Sequence, residues 1–109
     1  MSTPISNAQL VGRWFHSFEE DSDAMLTFRS AEFRFPPSRG RTGFDLRADG
    51  TMLAIGIGPT DKPTETKGTW RLMPGNILDF DVPVGPTAAR SFRIVALERE
   101  RLVVSAQSR

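Results

Sequence analysis

Apolar and polar residues alternate along most of this chain. Phe44-Asp45-Leu46-Arg47, Gly68-Thr69-Trp70-Arg71-Leu72 and Leu78-Asp79-Phe80-Asp81-Val82 each place apolar groups on one face of an extended segment and polar groups on the other. This pattern predicts half-buried strands. Gly and Pro cluster at Phe35-Pro36-Pro37-Ser38-Arg39-Gly40, Gly56-Ile57-Gly58-Pro59, Met73-Pro74-Gly75-Asn76 and Val82-Pro83-Val84-Gly85-Pro86, a spacing that breaks any long helix. Asp49-Gly50 predicts a type I′ hairpin turn, Pro74-Gly75 suits a type II turn, and Glu98-Arg99-Glu100 is a short polar connector. Eight strands are expected near 11–18, 24–29, 42–48, 51–57, 65–72, 77–82, 89–97 and 101–106. Joined in sequence order they form an antiparallel up-and-down meander, all-β, which removes its exposed edges by closing into a small barrel. Ser6-Asn7-Ala8-Gln9 has a capping pattern fit for one helical turn, which could plug a barrel end.

The same periodicity sorts the side chains. In the first strand Leu10, Gly12, Trp14, His16 and Phe18 share a face, and the other inward sets are Leu26 and Phe28, Phe44 and Leu46, Trp70 and Leu72, Leu78 and Phe80, Phe92 and Ile94, and Leu102 and Val104. Among these positions His16 is the strongly polar side chain. An imidazole in an apolar lumen can orient a ligand, hold a haem iron or move a proton; the plainer alternative is a core or rim histidine bonded to a backbone carbonyl. Glu19, Glu20, Asp21 and Asp23 lack the spacing of a calcium loop and are read as a solvated loop at the barrel mouth. Arg34, Arg39 and Arg41 surround a proline-stiffened segment and are read as solvated arginines; an anionic headgroup is the other use of such a loop. Phe33 and Phe35, at strand spacing, are expected to close over the core, and Met25, Met52 and Met73 to fill it or to form an adaptable pocket.

Composition narrows the classes. With 109 residues, 39% of them hydrophobic, the chain builds one core, and one domain spanning 1–109 is expected. Fourteen Lys and Arg against thirteen Asp and Glu leave a net charge of +1, which argues against a nucleic-acid partner. No cysteine and a single histidine exclude disulfides, thiolate chemistry and a multi-histidine metal site, so no metal or cofactor is expected. No phosphate-binding glycine loop is present. Residues 1–10 lack a basic start and apolar run, from which a cytoplasmic location is expected, and the most apolar window, 52–57, is far shorter than the roughly 20 residues of a membrane span.

Leu10-Val11-Gly12-Arg13-Trp14, placed after a helical turn and opening the first strand, resembles the Gly-x-Trp signature of the lipocalins and the wider calycin superfamily. Asp49-Gly50-Thr51 with Lys67-Gly68-Thr69-Trp70 is similar to the middle hairpins of small bacterial lipocalin-like domains. The resemblance implies that Trp14 plugs one barrel end and that a C-terminal arginine, Arg93 first and Arg101 second, packs across its indole. It also implies a small apolar or amphipathic ligand, held by Trp14, His16, Phe18, Phe28, Phe44, Trp70, Phe80 and Phe92 in the lumen or at its mouth. The chain departs from lipocalins proper in being short and free of cysteine. Two other classes stay open: a barrel enzyme (cyclase, isomerase or hydratase) using His16 as general acid or base, and a solid barrel serving as a structural or interaction module.

Overall fold

The computed structural model describes residues 5–22, 24–36, 41–57, 63–84 and 89–106. All eight expected strands are present: β1 (Gly12–His16), β2 (Met25–Ser30), β3 (Gly43–Leu46), β4 (Thr51–Ile57), β5 (Pro63–Met73), β6 (Ile77–Val84), β7 (Ala89–Glu98) and β8 (Arg101–Ala106). They close into a barrel in the order β1-β2-β8-β7-β6-β5-β4-β3, every neighbouring pair antiparallel. The helical turn α1 (Asn7–Leu10) precedes β1, opened by the Ser6 N–H donating to Gln9 Oε1 at 2.8 Å. No helix among the described residues is long and apolar enough to cross a membrane.

From β3 to β8 the strands follow one another as a meander, but β2 and β3 are not neighbours. β1 lies between them and β2 pairs with β8 instead. The described parts of the connection, 31–36 and 41–42, lie along β1: the Arg13 carbonyl accepts the Ala31 N–H at 3.0 Å, and the His16 N–H donates to the Thr42 carbonyl at 2.8 Å. Phe15 points outward and supplies the connection's apolar landing: Phe35 packs edge-on at 6.2 Å, with Phe33 5.0 Å beyond. Phe33 and Phe35 thus close over the outside of β1 rather than over the core. On the other flank β1 and β3 approach so closely that a Cβ on Gly43 would overlap the Trp14 carbonyl oxygen. Only glycine fits there.

Turn chemistry differs from the type I′ expectation at Asp49-Gly50. The loop has three residues: the Gly50 N–H donates to the Arg47 carbonyl, the Arg47 N–H to Thr51, and only Gly50 has positive φ (90°). A type I turn closed by a left-handed glycine results, with the Asp49 carboxylate accepting from the Thr51 N–H and hydroxyl. Gly75 has the positive φ that a type II turn needs, and Asn76 joins it at 59°.

Inside, the predicted inward apolar residues other than Phe18 belong to one core or pack against it. Phe28, Phe44, Phe80 and Phe92, from β2, β3, β6 and β7, form a closed circuit with centroid separations of 4.9, 5.7, 5.7 and 5.9 Å. At that level the barrel is filled by its own side chains. The α1 end is sealed as well: Leu10 is fully buried, and the Trp14 indole N–H donates to its carbonyl at 2.9 Å. Trp70, at the same end, donates its indole N–H to the Arg47 carbonyl at 2.8 Å.

Candidate functional site

The opposite end, where β1 terminates, gathers the polar chemistry. β1 stops at His16 because the chain turns into a single 3-10 turn, Phe18–Glu20, that folds back on β2 through the Ser17 N–H to Thr27 carbonyl bond of 2.8 Å. His16 is buried, its ring 5.4 Å from Phe28, so it stacks on one member of the phenylalanine circuit. Its Nε2 lies 2.8 Å from Asp21 Oδ2, and because a carboxylate only accepts, Nε2 carries the proton and donates. The other Asp21 oxygen accepts the Thr27 N–H at 2.9 Å, fixing the carboxylate and through it the ring. In the neutral form of the ring this leaves Nδ1 as an acceptor. An imidazole oriented by a carboxylate can take or give a proton as well as direct a hydrogen bond.

The acidic run is exposed, as expected of a loop at the barrel mouth, but its carboxylates are held by specific partners. Glu20 accepts both guanidinium nitrogens of Arg29 (2.8 and 2.6 Å) and the Ser17 hydroxyl (2.7 Å), and the Arg29 fork holds its carboxyl down at about 2. Glu19 is held below the usual carboxylate range by a matching fork from Arg41 (2.9 and 2.7 Å). Arg41 is itself nearly buried. Its guanidinium lies between the Phe18 and Phe35 rings (4.7 and 4.6 Å) and also donates to the carbonyls of His16 and Pro36. Glu19 and Arg41, and Glu20 and Arg29, thus neutralise one another in pairs, while Asp21 is held by His16 and the Thr27 N–H. Arg34 is exposed, as expected, whereas Asp23 and Arg39 lie outside the described residues.

Of the expected ligand-binding residues, the structure gathers Phe28, Phe44, Phe80 and Phe92 into the filled layer and leaves His16 at its edge. Trp14 and Trp70 sit at the far, sealed end. Phe18 is 47% exposed, because the strand ends two residues before it and period 2 no longer applies. Arg93 lies on the outer face of β7, exposed, as its neighbours Phe92 and Ile94 require. It does not stack on Trp14; among the described residues the arginines lying over aromatic rings are Arg29 and Arg41. Gly12 has φ 140°, a value that suits glycine, and makes the bend from α1 into β1.

The periodicity also carries residues that the sequence reading passed over. Thr42, two before Phe44, accepts from His16 through its carbonyl, and Gly56, two beyond Ala54, pairs with Thr64 on β5. The rows that continue the inward faces shrink toward this end: Leu46 and Phe44 on β3 give way to Thr42 just before it, Met52 to Ala54 and Gly56 on β4, and buried Trp70 to exposed Thr66 and Thr64 on β5. Small residues leave space, and a cavity of about 110 Å³ opens there, lined by Thr42, Ala54, Gly56, Thr64, Thr66 and Val84 among others. The Thr42 hydroxyl is buried without a hydrogen-bond partner among the described residues. A larger groove, about 310 Å³, lies outside the barrel at the α1 end between Arg13, Glu32 and the β7–β8 turn. Its charged rim is exposed.

No family model matches the chain, and neither curated proteins nor solved structures match it.

Proposed function

We propose that the protein binds a small amphipathic molecule at the His16 end of the barrel, above the phenylalanine layer rather than within it. The observation that carries this reading is the taper of β3, β4 and β5, which leaves a cavity beside the one strand row that begins with a buried, carboxylate-oriented imidazole. Apolar walls with a few placed polar groups are the usual make-up of a small-ligand site. Phe18 and Met25, both exposed, add apolar surface near the same end. The closed antiparallel barrel, its helical plug and Gly12-Arg13-Trp14 support a lipocalin-like kinship as part of this proposal.

The test is a titration of the His16 ring resonances, unambiguous in a chain with one histidine, against hexanol, hexanoate and hexylamine. A saturable shift in the His16 signals with unchanged tryptophan fluorescence is expected, since both indoles lie at the sealed end. His16→Phe is expected to weaken binding and leave the fold intact. Quenching of Trp14 or Trp70 would move the site into the lumen. No saturable shift with any of the three would favour a second reading, a solid interaction module, which the closed phenylalanine circuit supports.

A further inference from the structure

We propose that the edge of β5 at residues 63–69 docks a second copy of this chain, the two copies pairing antiparallel about a two-fold axis at Thr66. The seam between β5 and β6 is closed over part of its length: β6 pairs with β5 from Trp70 to Met73, whereas β4 pairs with it from Pro63 to Thr69. Beyond Trp70, β6 turns off the edge. Asp81 sets its carboxylate, rather than a backbone carbonyl, on the Thr69 N–H at 2.7 Å, and Val82 lies over the face of Gly68. Thr64, Glu65, Thr66 and Lys67 are all exposed, so both faces of the strand are open here. The Trp70 N–H donates to the Gly50 carbonyl on the β4 side, so Gly68, Thr66 and Thr64 turn their amides toward β4 and the alternate residues, Lys67 and Glu65, turn theirs away from it. Among the described residues nothing pairs with that second row. An unpaired row of N–H and C=O groups is a template for another strand. This inference goes beyond the ligand site proposed above and does not depend on it.

The occupant follows from the charges on the edge, which are self-complementary. In Pro63-Thr64-Glu65-Thr66-Lys67-Gly68-Thr69, antiparallel pairing about Thr66 sets Glu65 of each copy opposite Lys67 of the other. Each such pair exchanges both of its N–H to carbonyl bonds, and the ladder stops where Pro63 has no N–H and the Thr69 N–H is already held by Asp81. Centring the axis on Glu65 or on Lys67 instead would set like charges face to face. An edge lysine ordinarily discourages pairing, but here the glutamate two residues before it answers it across the axis. Glu65 is 51% exposed and its contact with Arg13 is long, 3.9 Å, so its carboxylate is available to the other copy. The contact uses up the edge and association stops at two. Sedimentation equilibrium of the full chain up to about 1 mM is the test, and a reversible monomer–dimer equilibrium is expected, weak because so short a ladder buries little surface. Lys67→Glu and Glu65→Lys, both at exposed positions, are each expected to keep the wild-type urea midpoint and to weaken dimerisation at least about tenfold, since like charges then face each other twice. An equimolar mixture of the two variants is expected to recover association as a heterodimer, because every facing pair is again opposite in sign. A wild-type monomer at every concentration, a dimer indifferent to both reversals, a mixture that does not recover, or growth beyond two copies would each overturn the proposal.

Discussion

At Trp14 three constraints meet: its ring is buried, its indole N–H is held by Leu10, and its backbone carbonyl faces Gly43 so closely that no side chain fits between. Trp14→Ala removes a large core ring and a buried hydrogen bond, and urea denaturation is expected to show a loss of about 3–5 kcal/mol; a loss below about 1 kcal/mol would make the ring peripheral. Glu20 sets the acid response. Its pKa is about 2 in the fold against an ordinary 4.5, so its stabilising contribution is complete above 4.5 and is lost as pH falls from there toward 2. Stability measured across that window is expected to decline, and Glu20→Gln is expected to flatten the decline. His16 was legible as an inward polar residue because period 2 reaches it from Trp14. Its partner Asp21 was not, since a 3-10 turn intervenes and nothing in the local pattern says that an acidic run will fold back onto β2.

Among the elements, β1 is the one whose neighbours sequence order misassigns. Strand existence was readable from alternation and breakers, but the adjacency of β1 and β3 goes with an outward Phe15 that takes Phe35 and a missing side chain at Gly43. Gly43→Ala is expected to force β1 and β3 apart and cost at least about 2 kcal/mol by chemical denaturation, whereas Gly75→Ala, in open space, should cost only what its positive φ imposes. The taper of inward residues on β3, β4 and β5 was present in the sequence too. It escaped notice because each strand taken alone reads as an ordinary half-buried strand, and the cavity exists only where three small ends lie side by side.

At the scale of the whole molecule, the described residues form a barrel filled in its middle, sealed at α1 and carrying a small cavity at the Thr42 end. Its size and closure followed from strand number and alternation, while the division of the interior into filled and open parts depends on volumes summed across strands, which no single segment encodes. Phe44→Ala breaks the phenylalanine circuit and is expected to cost about 3–5 kcal/mol in urea denaturation through the cavity it leaves. The most direct test of where recognition happens is a set of intermolecular NOEs between hexanol and the protein side chains. Cross-peaks to His16, Thr42, Ala54 and Val84, with none to Trp14, Trp70 or Leu78, are the predicted result. Cross-peaks to the tryptophans or to Leu78, or saturating hexanol with no protein cross-peaks at all, would contradict it.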